Sequence, residues 1–185
     1  GKSDGIVDGG PCQVGVEPTI IDLTVTPPQL LRPGGLPLES LRDALGEVTV
    51  DKAVTQKMND GEKPRAPGMK YRHYAPSAPL TVYTGEAGKV AEEILSFVVK
   101  TDKKYGFFVS EETARLLPKG LPVFVWGHRE DKESFAHNLF SGLLYFNRHP
   151  VDAIIGEGTD TAGLGLAIMN RLTKASGYHI VVEKR

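Results

Sequence analysis

The stretch APGMKYRHYAP, residues 66–76, packs Lys70, Tyr71, Arg72, His73 and Tyr74 between two prolines. Two cations, two phenols and an imidazole in consecutive positions are groups that stack on a base and neutralise phosphate oxygens. A spacer needs none of them, because Gly/Ser or Pro composition alone sets its reach and stiffness. The two prolines limit the entropy lost on docking, so the segment is expected to lie docked, either against a bound nucleotide or simply against domain surfaces. Arg32 is the second candidate. It ends the apolar run of LLRPGG, where it reads equally as an edge-strand arginine and as a planar fork for phosphate oxygens beside a Gly turn.

Other candidates carry less. GEGTDTAGLG, residues 156–165, sits between a strand-like and a helix-like run, where backbone N–H groups could meet a phosphate. Its spacing is not GxGxxG, no P-loop lysine follows, and Glu157 and Asp160 would repel an anion, so a structural βα turn is the better reading. His73, His128, His137, His149 and His179 match no HExxH or Cys/His zinc spacing. His137 falls on a helical run and reads as a structural or surface histidine. No GxSxG elbow or paired-carboxylate constellation supports a hydrolase.

These residues need elements to hold them. Residues 13–26 have strand-like apolar density, and QLLRPGG gives a second, paired strand that ends in a Pro-Gly-Gly turn. LPLESLRDALG predicts a short amphipathic helix with Pro37 at its start and Gly46 at its end. From about Asp51 to Pro79 the apolar period disappears, which predicts a linker. Beyond it, PLTVYTG, YGFFVS, LPVFVWG, VDAIIGEG and HIVVE read as strands. They alternate with helical runs at GKVAEEILSFVVK, EETARLL, ESFAHNLFSGLLYFN and GLGLAIMNRLTKAS. That rhythm predicts a mostly parallel α/β sheet with helices on both faces.

The totals fit a soluble globular protein: 185 residues, 40% hydrophobic, 24% charged, with 22 Lys+Arg against 23 Asp+Glu. A net charge of -1 offers no general attraction to nucleic acid or membrane, so any anion site must be local. The single cysteine, Cys12, excludes an intramolecular disulfide and suits a reducing compartment. No apolar run of membrane length and no leader is read in these residues, which makes the cytoplasm the expected location. The opening GKSDGIVDGG lacks Met and leads at once into core-like sequence, so the chain reads as beginning inside a domain.

Three segments together resemble the long, two-domain form of the threonylcarbamoyl-AMP synthase family: VDGGPCQVGVEPTIIDL with LLRPGG, then APGMKYRHYAP, then EGTDTAGLGLAIMNRLTKAS. The resemblance implies three parts. Residues 1–50 would be the end of a YrdC-like α/β catalytic domain, 51–79 a linker and lid, and 80–185 a C-terminal Rossmann-like domain. It implies a nucleotidyltransferase that makes threonylcarbamoyl-AMP and pyrophosphate from L-threonine, bicarbonate and ATP, with magnesium as the metal. The product would pass to a tRNA-modifying transferase complex for threonylcarbamoyladenosine formation at tRNA position 37, with RNA contact a further expectation. Arg32 then matches an arginine that contacts ATP, and Tyr74 a linker position against the nucleotide. Lys70, Tyr71, Arg72 and His73 take lid and phosphate-neutralising roles.

Two departures accompany the resemblance. The family's GVESTI carries a serine that contacts threonine, whereas this chain reads GVEPTI, and Pro18 has neither hydroxyl nor N–H. The catalytic domain's Lys-x-Arg and Ser-x-Asn nucleotide motifs would lie before residue 1, so the chain alone is expected to be poorly active. The alternative is a non-catalytic nucleotide- or RNA-binding regulatory module. Residues 80–185 are expected to stabilise the linker or a dimer rather than to hold a ligand.

Overall fold

The structure, a computed structural model, describes residues 5, 10, 13–70, 75–98 and 102–182. Cys12 and the four candidate residues Tyr71, Arg72, His73 and Tyr74 lie outside the described residues.

The first sheet is small. β1 (Ile20–Asp22) runs antiparallel to β2 (Gln29–Arg32), and β3 (Thr49–Val50) lies parallel on the other side of β2. The strand-like density of residues 13–26 thus yields a strand of three residues. Gly15 adopts φ +75 and Pro18 has no N–H to donate, so the chain before Ile20 cannot join a ladder. α1 (Leu38–Leu45) follows the Pro-Gly-Gly turn and stops at Gly46, whose φ of +80 suits a residue without a Cβ. Leu41 of α1 packs with Leu30 and Val48.

The aperiodic residues after Asp51 are folded onto this sheet. A 3-10 turn, Lys52–Val54, is capped by the Asp51 carboxylate accepting from the Ala53 N–H at 2.8 Å. Ala53, Ala66 and Met69 are buried against Leu31. Periodicity misses this packing because it is made by isolated apolar residues between turns. Side-chain to backbone bonds hold the loop, including Lys70 Nζ to the carbonyls of Asp60 (2.8 Å) and Glu62 (3.2 Å).

The second sheet meets the expectation of a parallel α/β unit. β4 (Leu80–Thr84), β5 (Tyr105–Val109), β6 (Val123–Val125), β7 (Ala153–Glu157) and β8 (Ile180–Val182) pair in parallel, in the order β6-β5-β7-β4-β8. The crossovers contain α2 (Ala87–Val98), α3 (Glu111–Ala114), α4 (Lys132–Arg148) and α5 (Gly165–Ala175). Successive strand residues alternate between two cores. Phe107, Val109 and Ile155 face α2, while Phe108, Val82 and Ile154 face α4 and α5. Among the described residues no helix is long and apolar enough to cross a membrane.

α5 is the element on which the arrangement turns. Ala167, Ile168, Leu172 and Ala175 join the core of the parallel sheet. Leu166 instead reaches the cluster of Leu30, Leu41 and Val48 under the first sheet. Buried Asn170, Arg171 and Lys174 complete a helix that is covered on both sides.

Gly142 on α4 shows how tight the second core is, because a Cβ there would overlap the Phe108 ring and lie 2.8 Å from Phe124 Cδ1. In an exposed helix Gly→Ala stabilises by about 1 kcal/mol. Here Gly142→Ala is expected to destabilise by about 1–3 kcal/mol through overpacking, read as a lower denaturant midpoint in equilibrium unfolding.

Candidate functional site

β2 ends by delivering Arg32 to the junction of the two sheets. The turn that follows is shaped by Gly34, which lies so close to the Glu17–Thr19 backbone that a Cβ would overlap the Glu17 carbonyl oxygen and the Thr19 nitrogen. This contact brings the Pro18 carbonyl within reach of Arg32. Nε and Nη2 both donate to it, at 3.1 and 3.0 Å, and Nη1 donates to the Pro67 carbonyl at 3.1 Å. A guanidinium has five N–H donors. One donor on Nη1 and one on Nη2 therefore remain without a partner among the described residues, and the side chain is only half-buried. That pair of donors is a fork suited to two oxygens of one anion.

Pro18 itself offers a carbonyl and nothing more. The neighbouring Thr19 hydroxyl cannot replace a missing serine, since it donates to the Leu36 carbonyl at 2.9 Å and accepts the Leu36 N–H at 3.0 Å.

Behind Arg32 runs a polar seam from α5 to the first sheet and its loops. Asn170 Nδ2 donates to the Val54 carbonyl at 2.6 Å. Arg171 Nη1 donates to the Pro33 carbonyl at 2.9 Å and to Asn170 Oδ1 at 2.8 Å, while its Nε meets Glu17 Oε2 at 2.7 Å. Lys174 Nζ donates to the Gly68 carbonyl at 2.6 Å. Burial alone would raise the Glu17 carboxyl, but the charge and hydrogen bond of Arg171, with a smaller pull from Arg32, hold it below its ordinary value. Burial pushes the Lys174 ammonium down to about 8, helped by the Arg171 and Arg32 charges and opposed by Glu17. Three cations share one carboxylate here, so the junction carries an excess of positive charge.

Sequence reasoning singled out Arg32 and Pro18, which the structure brings together, and did not find Glu17, Asn170, Arg171 or Lys174 as a group. On a helical wheel the last three read as a solvated face, and only the contact with the first sheet shows otherwise. Lys70 is placed elsewhere. Its ammonium, bound to the loop carbonyls, lines a cleft of about 920 Å³ with Lys57, Asp60, Pro76, Tyr178 and His179, and Arg32 is not part of that cleft.

The turn at 156–165 is closed by carboxylates. Asp160 Oδ1 accepts from the Ala162 N–H at 2.7 Å and from Lys132 Nζ at 2.6 Å, and Glu39 Oε1 of α1 accepts from the Gly163 N–H at 3.2 Å. The Ala162 and Gly163 N–H groups of this turn are thus taken by carboxylates. A second cleft of about 550 Å³ lies over the C-terminal ends of β4 and β7. Its Arg129 is paired with buried Glu157 and donates to the Gly85 carbonyl at 2.5 Å. Among the histidines, His128 pairs with Glu111 and Glu112, His149 stacks on Tyr145, and His179 lies against the Ser176 carbonyl.

Two tests follow from the seam. Replacing Arg171 with Met strips Glu17 of its partner and leaves the Pro33 carbonyl bare, an expected loss of about 3–5 kcal/mol, part of which the added Glu17→Gln change restores. Lys174 gives a pH signature. Its folded value near 8 lies below the usual 10.5, so between these pH values the unfolded chain binds more protons and stability must rise with pH. The melting temperature of the wild type minus that of Lys174→Met is expected to grow from pH 8 to pH 10, and a constant difference would refute the assignment.

A family model described as threonylcarbamoyl-AMP synthase, C-terminal domain, matches residues 36–177. A threonylcarbamoyl-AMP synthase of Pyrococcus abyssi is 47% identical over 184 residues, which cover 98% of this chain and 52% of the relative. The crystal structure of P. abyssi Sua5 complexed with L-threonine superposes with a TM-score of 0.81 at 45% identity, covering 96% of this chain and 50% of that one. A P. abyssi Sua5 variant with a histidine and the following tyrosine changed to alanine gives a TM-score of 0.83 at 44% identity, covering 95% of this chain and 49% of the other. The chain spans about half the length of these relatives. With the family model covering most of its residues, the chain belongs to the threonylcarbamoyl-AMP synthase C-terminal domain family.

Proposed function

We propose that this chain is the C-terminal part of a nucleotidyltransferase that makes threonylcarbamoyl-AMP from L-threonine, bicarbonate and ATP. In this reading residues 1–50 complete the catalytic domain, 51–79 form the linker and lid, and 80–185 form the C-terminal domain. The observation that carries it is the Arg32 fork, held by the Pro18 and Pro67 carbonyls with two donors left over among the described residues, in a region of excess positive charge.

The chemistry suits such a site. Bicarbonate and the threonine amine condense to a carbamate with loss of water, a carbamate oxygen attacks the α-phosphorus of ATP, and the bond to pyrophosphate breaks. Positioning and neutralisation of oxygens dominate such a transfer, so a guanidinium contributes more than a nucleophilic side chain would. Arg32 binds phosphate oxygens through its free fork. Tyr71, Arg72, His73 and Tyr74 shield the nucleotide and exclude water from a labile adenylate, with Tyr74 against the nucleotide, whereas Lys70 is bound to the loop carbonyls of Asp60 and Glu62. His73-Tyr74 is this chain's single consecutive His–Tyr pair, and a consecutive His–Tyr pair is what the P. abyssi variant replaces. L-threonine bound to P. abyssi Sua5 supports threonine as the amino-acid substrate. Pro18 then narrows what this part of the threonine site offers to a backbone carbonyl already used by Arg32. The described residues hold no cluster of three His, Cys, Asp or Glu for the implied magnesium. The product serves a tRNA-modifying transferase complex in the cytoplasm.

Purified 1–185 is expected to form no threonylcarbamoyl-AMP from the three substrates, whereas the full-length protein forms it with release of pyrophosphate. Arg32→Ala in the full-length protein is expected to lower kcat/KM by about 100-fold. Unchanged kinetics would remove Arg32 from the site, and a full-length protein that binds nucleotide without forming the adenylate would favour a regulatory module.

A further inference from the structure

Arg32 does not set its own position. Its Nη1 bond ends on the Pro67 carbonyl, and the next residue, Gly68, turns the chain at φ +82 directly beside the arginine. A Cβ on Gly68 would lie 3.4 Å from Arg32 Cδ and 3.5 Å from Nη1, so the turn and the side chain are in close contact. The Gly68 carbonyl in turn receives Lys174 Nζ at 2.6 Å. Lys174 is 6% exposed and stands on a helix fixed by Asn170 and Arg171 to two other carbonyls. A chain of support therefore runs from α5 through Gly68 and Pro67 to the guanidinium at the end of β2.

We propose that Lys174 is a positioning residue for the anion-binding Arg32, holding the Pro67–Gly68 turn where it presents the two spare arginine donors to the phosphates of a nucleoside triphosphate. The inference rests on the function proposed above and adds to it a residue from the other end of the chain. A neutral amide could close the same hydrogen bond to Gly68 without the cost of burying a charge. The charged lysine bond to the Gly68 carbonyl is stronger than an amide's would be, and the Pro18 and Pro67 carbonyls hold the guanidinium against the repulsion from Lys174. Lysine supplies one compact charge on a flexible stem, which suits a single carbonyl at the end of a helix.

The test has a local and a kinetic arm. In 1–185, Lys174→Met is expected to speed hydrogen exchange at the Ala66 amide, which donates to Met69 Sδ at 3.1 Å across the turn, by about tenfold while the α4 amides of Leu139 and Leu143 stay protected, and Lys174→Arg is expected to restore slow exchange. In the full-length protein, Lys174→Met is expected to raise the KM for ATP by about tenfold, with kcat and the KM for threonine within about twofold, and Lys174→Arg to recover most of the loss. Unaltered exchange at Ala66 overturns the support of the turn. Faster local exchange with an unchanged KM for ATP overturns the link from the turn to Arg32. A joint loss of kcat, both KM values and α4 protection assigns Lys174 a merely structural role. A wild-type full-length protein that forms no adenylate removes the proposed function instead, and the exchange arm still reports whether Lys174 holds the turn.

Discussion

Three backbone carbonyls, those of Pro33, Val54 and Gly68, meet α5 at the junction of the two sheets. Each belongs to a segment outside the ladders, where no neighbouring strand can supply an N–H. A buried carbonyl without a donor costs about 1–3 kcal/mol, so a helix covering these segments must bring donors of its own. Asn170 and Arg171 do so from adjacent positions and Lys174 from the next turn, and Glu17 balances part of the charge they bring. The requirement to satisfy loop carbonyls explains why this interface is polar where the other face of the same helix is Ala, Ile and Leu.

The seam also explains how a sheet of three short strands is held in place. β1, β2 and β3 together offer few ladder bonds, and their own clusters contain a handful of apolar residues. Additional order comes from contact with the larger unit. Gly15 lies against the backbone of α4, Val16 enters the core of the parallel sheet, and Leu166 of α5 enters the core beneath the first sheet. Packing of this kind couples the two parts, because neither cluster can be opened without exposing residues of the other.

Electrostatics at the junction follow from the same geometry. Two of the three donors recruited for carbonyls are cations, and placing Arg171 and Lys174 near Arg32 leaves one carboxylate among three positive groups. Such an excess is costly in a closed interior and useful beside an opening where an anion arrives. Arg32 is half-buried, whereas Arg171 and Lys174 are covered. Burial thus separates the cation that keeps spare donors from the two that hold the scaffold.

Much of the fold was legible in the sequence because it depends on local period. The helices over Leu38–Leu45 and Lys132–Arg148, and the five strands after Pro79, follow from apolar spacing bounded by Pro and Gly. LLRPGG also marked Arg32 as a strand-end arginine before any contact was known. The short β3 and the packing of Ala53, Ala66 and Met69 were not legible, since isolated apolar residues in a turn-rich segment have no period to detect. Nor was the seam, because Asn170, Arg171 and Lys174 resemble an ordinary solvated helix face until their partners, some 106 to 154 residues earlier, are brought against them. Sequence by itself determined the elements and the chemical types at their ends. Tertiary structure decided which polar groups were spent on buried carbonyls and which kept spare donors, because hydrogen-bond satisfaction is settled between segments rather than within them.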